Sequence, residues 1–108
     1  MSRKIEDQMI AAIRAGRAAN LGDTSVRQHG EGHSAVYLHN NLIAEIGHPV
    51  RGTRWTLAGW NTPTTRSRIN ALARAFNWKR VYNKGGKPFA AGNGPDHEVD
   101  PAAWVAAI

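Results

Sequence analysis

The sequence predicts an α+β domain whose strands are antiparallel and grouped between two helices. Apolar residues recur at helical spacing over the first twenty positions, then switch to alternation between Thr24 and Leu57. A second helical stretch follows, and after it two short apolar runs flank Gly85-Gly86. A parallel sheet would instead alternate strands and helices one by one.

The first helix is expected over about Arg3 to Ala19, because Ile5, Met9, Ala12, Ile13 and Gly16 fall on one stripe. Glu6 and Asp7 stand at its start, Arg14 and Arg17 at its end, as the helix dipole favours. Asn20 and Gly22 read as its stop signal. Thr24 to Gln28 reads as a strand, followed by the glycine loop Gly30-Glu31-Gly32. Ala35 to His39 and Leu42 to Ile46 read as a hairpin turning at Asn40-Asn41, since asparagine tolerates positive φ. That turn sets Tyr37 opposite Ala44 and Leu38 opposite Ile43. Thr53 to Leu57 is the next strand, with Thr53, Trp55 and Leu57 on one face.

The second helix has clear punctuation. Thr62 caps it, Pro63 takes the first helical position, and Ile69, Leu72, Ala73 and Phe76 form its buried stripe as far as Asn77. Trp78 to Tyr82 and Pro88 to Ala91 make a second hairpin, and Pro88 suggests that its return strand is an edge. After Gly92-Asn93-Gly94-Pro95, Asp100-Pro101 is expected to cap a last helical turn carrying Trp104, Val105 and Ile108.

The 108 residues suffice for one domain, 1–108, with one core. No apolar run approaches the ~20 residues of a membrane span. Acidic residues follow Lys4 where a signal peptide would be apolar, so the expected location is the cytoplasm. The absence of cysteine fits that compartment and removes disulfides, zinc-thiolate sites and cysteine nucleophiles. Fourteen Lys and Arg against eight Asp and Glu give a charge of +6, which points to an anionic partner. Ten of the fourteen are arginine, whose planar fork suits phosphate and stacks on bases.

The segment from Gly59 to Asn70, Gly-Trp-Asn-Thr-Pro-Thr-Thr-Arg-Ser-Arg-Ile-Asn, concentrates the chemistry. It sets free amides, the hydroxyls of Thr62, Thr64 and Thr65, and the guanidinium groups of Arg66 and Arg68 at one helix N-terminus, a ready anion site. Trp60 or Trp55 offers a stacking surface, and Asn70 a polar anchor. The competing reading is a well-capped helix with solvated arginines and a core tryptophan. More broadly, arginine and aromatic residues interleave at Arg54-Trp55 and Trp78-Lys79-Arg80, as single-strand binders require.

This segment, the helix start Arg3-Lys4-Ile5-Glu6-Asp7-Gln8 and the run Val36 to Ala44 together resemble a family of small phage-encoded proteins. The pattern is also similar to the anti-Thoeris signal sponges, phage proteins that sequester a cyclic ADP-ribose-type immune messenger. That resemblance covers residues 3 to 90 and implies a non-catalytic phage anti-defence protein in the host cytoplasm. It also implies an oligomer that holds its nucleotide between arginine and aromatic side chains. After residue 90 the chain departs from the pattern, with a glycine-proline turn and an alanine-rich end.

Enzyme chemistry is not expected. No serine stands in a nucleophile-elbow context, Gly30-Glu31-Gly32 lacks a dinucleotide fingerprint, and Gly85-Gly86-Lys87 is followed by no helix with Ser or Thr. The five histidines show no zinc spacing, so neither a metal nor another cofactor is expected. Two other functions use the same residues: a single-stranded DNA- or RNA-binding accessory protein, and a protein-protein inhibitor of a host defence complex. Apolar residues on both faces of the first hairpin (Val36, Leu38 and Ile43; Tyr37, Leu42, Ala44 and Ile46) suggest a homo-oligomer.

Overall fold

The structure is a computed structural model that describes residues 3–92 and 94–108. Helix α1 (Arg3–Ala15) buries Met9 and Ala12 completely and rests Ile10 and Ile13 on the same core. It stops at Ala15, short of the expected end at Ala19. Gly16 adopts φ 67, its N–H bonds to the Ile13 carbonyl, and the Arg17 N–H bonds to the Ala12 carbonyl. That pair of bonds is a Schellman closure, so Gly16 ends the helix rather than joining its stripe. The released residues form a short strand, β1 (Ala19–Asn20), which the sequence did not signal.

β1 joins β2 (Thr24–Gly30), β3 (His33–Leu38), β4 (Asn41–His48) and β5 (Gly52–Trp55) in an antiparallel sheet of order β1-β2-β3-β4-β5-β9. The α+β class and the run of helix, meander, helix and hairpin are as expected. The first hairpin turns one residue earlier than expected. His39 and Asn40 carry the positive φ angles (50 and 66), and Leu38 pairs with Asn41. A bulge then places Tyr37 opposite Leu42 and Val36 opposite Ala44. The extra residue keeps Ile43 and Ala44 both in the core, which a regular ladder would forbid. Ala44 and Ile46 therefore pack on the helix side, not on the opposite face.

Helix α2 (Pro63–Phe76) matches its expected limits: Thr62 is its cap and Asn77 closes it in the left-handed conformation. It leads into a second sheet of order β6-β7-β8, formed by β6 (Arg80–Lys84), β7 (Lys87–Ala91) and β8 (His97–Glu98). β7 is thus central, not an edge. Pro88 is tolerated because it stands one residue outside the β8 ladder, which pairs Phe89 and Ala90. Asp100 does cap a turn, its Oδ1 accepting the Ala102 N–H at 2.9 Å. The chain then forms β9 (Val105–Ala106) on the open edge of β5 instead of a helical turn. A few residues cannot sustain a helix, whereas the free edge supplies backbone partners immediately.

One buried side chain ties these elements together. Arg68, 1% exposed, donates from Nη1 to Glu6 on α1 at 3.1 Å, from Nε to Thr24 Oγ1 at 2.9 Å and from Nη2 to Asp23 at 3.3 Å. Glu6, itself 5% exposed, also accepts from the Ser67 hydroxyl. Burial works to raise the Asp23 carboxyl, but hydrogen bonds from Thr24 and Arg68 and the Arg68 charge outweigh it, and its pKa falls below the ordinary value.

A second ion pair braces the opposite face of the larger sheet. Glu45 accepts from Arg51 at 3.0 and 2.8 Å and from Arg54 at 2.7 Å. The Arg51 hydrogen bond, then Arg54 and both charges, outweigh burial and hold Glu45 at about 2. Beside it, His48 Nδ1 accepts the N–H groups of Val50 and Arg51 at 3.1 and 2.9 Å, closing the β4–β5 turn. Desolvation first, then the Arg51 charge, lower the His48 pKa against the pull of Glu45.

Mutation and acid titration test these two clusters. Arg68→Ala leaves Glu6 and Asp23 without their counter-charge, so stability should fall by about 3–5 kcal/mol, the range for breaking a buried pair. At about 4 °C or more per kcal/mol, the drop in Tm should exceed roughly 12 °C, while Arg66→Ala should stay within a few degrees. For the titration, a lowered histidine pKa contributes stability in full above 6.5, its unfolded value, and loses it as pH falls below that. Hydrogen exchange at Val50 and Arg51 should accelerate in that window beyond the intrinsic rate, and His48→Ala should abolish the pH dependence. Glu45 contributes fully above 4.5, and Tm should fall further as pH drops from 4.5 towards 2.

Candidate functional site

The site is built where β5 gives way to α2. The chain leaves Trp55 through a tight loop in which Ala58 holds φ 55 and Gly59 φ 83. An alanine in the left-handed region is costly, and the surroundings enforce it. Thr56 Oγ1 accepts the Ala58 N–H at 3.1 Å, and the Gly59 N–H reaches the Pro101 carbonyl at 2.9 Å. The Trp60 N–H then closes on the Leu57 carbonyl at 2.8 Å, which turns the indole outward, 60% exposed.

Thr62 follows with extended backbone and caps α2, its hydroxyl oxygen accepting the Thr65 N–H at 3.2 Å. Its carbonyl takes the Arg66 N–H at 3.0 Å. Pro63 has no N–H, so the helix start keeps the Thr64 amide as its free backbone donor.

Between this loop and the β3–β4 turn lies an open pocket of about 430 Å³. Leu38, Ile43, Leu57 and Ala58 form its apolar floor. Trp60 stands at one side, and Thr62, Thr64, Thr65, His39 and Asn41 supply polar edges. Two of the four non-glycine residues with positive φ among the described residues, His39 and Ala58, line it.

Four of the residues expected to bind ligand, Trp60, Thr62, Thr64 and Thr65, therefore meet at one cavity. The structure places the other four elsewhere. Trp55 is completely buried in the core, its Nε1 donating to the Lys79 carbonyl at 3.1 Å. Arg68 lies in the buried ion-pair cluster, because helical spacing turns it towards α1. Asn70 uses both ends of its amide on the Val81 backbone, at 2.8 Å each, as a neighbouring strand would. Arg66 turns to the Asn61 side chain, which in turn donates to Asn83 at 2.9 Å. Among the described residues, no arginine, lysine or carboxylate lines the cavity.

The residues that the sequence did not single out are His39 and Asn41 on the rim and the four apolar floor residues. Their strands come from separate parts of the chain, so only pairing and packing unite them. The one local sign was the asparagine-containing turn.

His33, Glu45 and His48 form another constellation, with potential ligand atoms within 4.8 Å of one another. Two of the three are already engaged, whereas the buried Nε2 of His33 has no hydrogen-bond partner among the described residues. Both Glu45 oxygens face guanidinium groups, and His48 Nδ1 accepts two amides, which puts the ring proton on Nε2. A cation would have to displace two arginines, so this donor set suits an ion pair rather than a metal.

Among known proteins, residues 2–106 match the family model described as Kyanoviridae Gp96 protein. No curated protein and no solved structure matches the chain. The match spans nearly the whole sequence, including both helices and both sheets, and the chain belongs to this phage protein family.

Proposed function

We propose that the protein captures a small nucleotide-derived molecule in the cavity at the start of α2, and that it does so without chemical conversion, as a phage sponge for a host immune signal. The observation that carries this reading is Trp60, an indole 60% exposed on the wall of a cavity with an apolar floor. An exposed indole beside an apolar floor offers a stacking surface to a flat partner. A base stacked there would lie over Leu57 and Ala58, and the rim hydroxyls and Asn41 would meet its polar edge or the ribose. The helix start offers the Thr64 amide and the positive end of the dipole to one phosphate oxygen.

The wall chemistry supports capture rather than turnover. Among the described residues, His39 is the one titratable side chain lining the cavity, and no nucleophile stands there with an oriented base. The resemblance of Gly59–Asn70 to the signal sponges supports the choice of ligand class, and membership of a phage family supports the setting.

Calorimetry with a panel of mononucleotides, cyclic dinucleotides and cyclic ADP-ribose-type molecules tests this. Base stacking contributes about 1–3 kcal/mol, so Trp60→Ala should weaken the best ligand roughly 5- to 150-fold. Tm should be unchanged because the ring is exposed. Ligand released by heating should have its original mass. If no panel member binds, or if Trp60→Ala binds as well as the parent, the reading is wrong.

A further inference from the structure

The helices pack on one face of the six-stranded sheet; on the other, Arg27 and Arg51 are exposed and Tyr37, Arg54 and Trp104 partly exposed, while Ala35 and Glu45 between them are buried. The outward residues of this second face are set by the strand alternation. Val26, Val36, Trp55 and Val105 point into the core, so Arg27, Tyr37, Arg54 and Trp104 point outward. On this face the Arg27 guanidinium lies over the Tyr37 ring, 4.8 Å from its centroid. The Arg54 guanidinium lies over Trp104 at 3.8 Å.

Arg27 on β2 and Arg54 on β5 are three strand spacings apart, about 14 Å. The two cation-topped rings thus form separate platforms on one surface. Arg51 and Arg54 share the single carboxylate of Glu45, which with Arg27 leaves three arginines against one acid. His29, His33 and His48 lie in sequence alongside, tilted and then edge-to-face, at 5.1 and 4.9 Å between ring centroids.

We infer that this sheet face binds single-stranded nucleic acid. The excess positive charge of this face calls for a polyanion. A second copy of the chain would bring the same basic face against it and be repelled. A guanidinium can stack on a base and donate its N–H groups to phosphate. Bases across two such platforms, with phosphates between the arginines, match how single strands are held. The surface is distinct from the cavity at α2, which opens on the helix side.

Fluorescence anisotropy with a labelled 12-nucleotide oligothymidine at low salt tests the inference. Arg27 is exposed and its stacking partner Tyr37 is partly exposed, so Arg27→Glu should fold normally, as thermal melting can verify. It should weaken the strand at least 10-fold and make the salt slope shallower by about 0.7 per lost phosphate contact. Arg74→Glu, on the helix side, and Trp60→Ala should leave strand affinity within about twofold of the parent. Failure of the parent to bind overturns the inference, and so does an Arg27→Glu variant that binds equally well. Equal binding of a duplex of the same length, or of a polyglutamate peptide, also overturns it. Nucleotide capture is read separately with Trp60→Ala, so either proposal can fail alone.

Discussion

The burial of one guanidinium constrains most of this molecule. Arg68 has no route to water and satisfies its charge on Glu6 and Asp23, with Thr24 as a neutral acceptor. These partners belong to α1 and to the entry of β2, so a single residue of α2 locks both. Moving α2 off these partners would leave a charge buried without compensation, which is costly. The His39 N–H bonds to the Asp23 carbonyl at 2.7 Å, so the same cluster reaches the β3–β4 turn beside the cavity.

Among the polar contacts that tie the smaller sheet to this frame are those of Asn70 and Trp55. Asn70 behaves as a strand segment carried on a helix, giving and taking one bond with Val81. The Trp55 indole, otherwise a core filler, directs its N–H to the Lys79 carbonyl. Each is an amphipathic side chain used for both volume and directed bonding. This explains how residues whose chemistry suits a ligand serve the scaffold instead.

The charge of the chain is distributed rather than focused. Arg66 and Arg68 bond to protein groups, and among the described residues no arginine, lysine or carboxylate lines the cavity. The sheet face opposite the helices instead gathers Arg27, Arg51 and Arg54. A cavity without such groups selects shape and aromatic contact, whereas a basic face selects charge and length. The two surfaces therefore ask for different chemistry from the same nucleotide-like building block.

Local signals alone determined the α+β class, both helices, the Thr62–Pro63 start, the Asn77 end and the Gly85-Gly86 turn, because each rests on periodicity or on one residue's backbone preference. The same signals marked Trp60 and the threonines as a group. Tertiary structure decided the rest. Gly16 could have sat in a helix or ended one, and the sheet edge behind it favoured the second. The register of the first hairpin depended on keeping Ile43 and Ala44 both in the core, which only packing could demand. Val105–Ala106 became a strand because β5 had an open edge. Arginines four and six residues past a cap look alike in sequence. Which of them meets a buried carboxylate depends on where another helix lies, and that is a property of the assembled core.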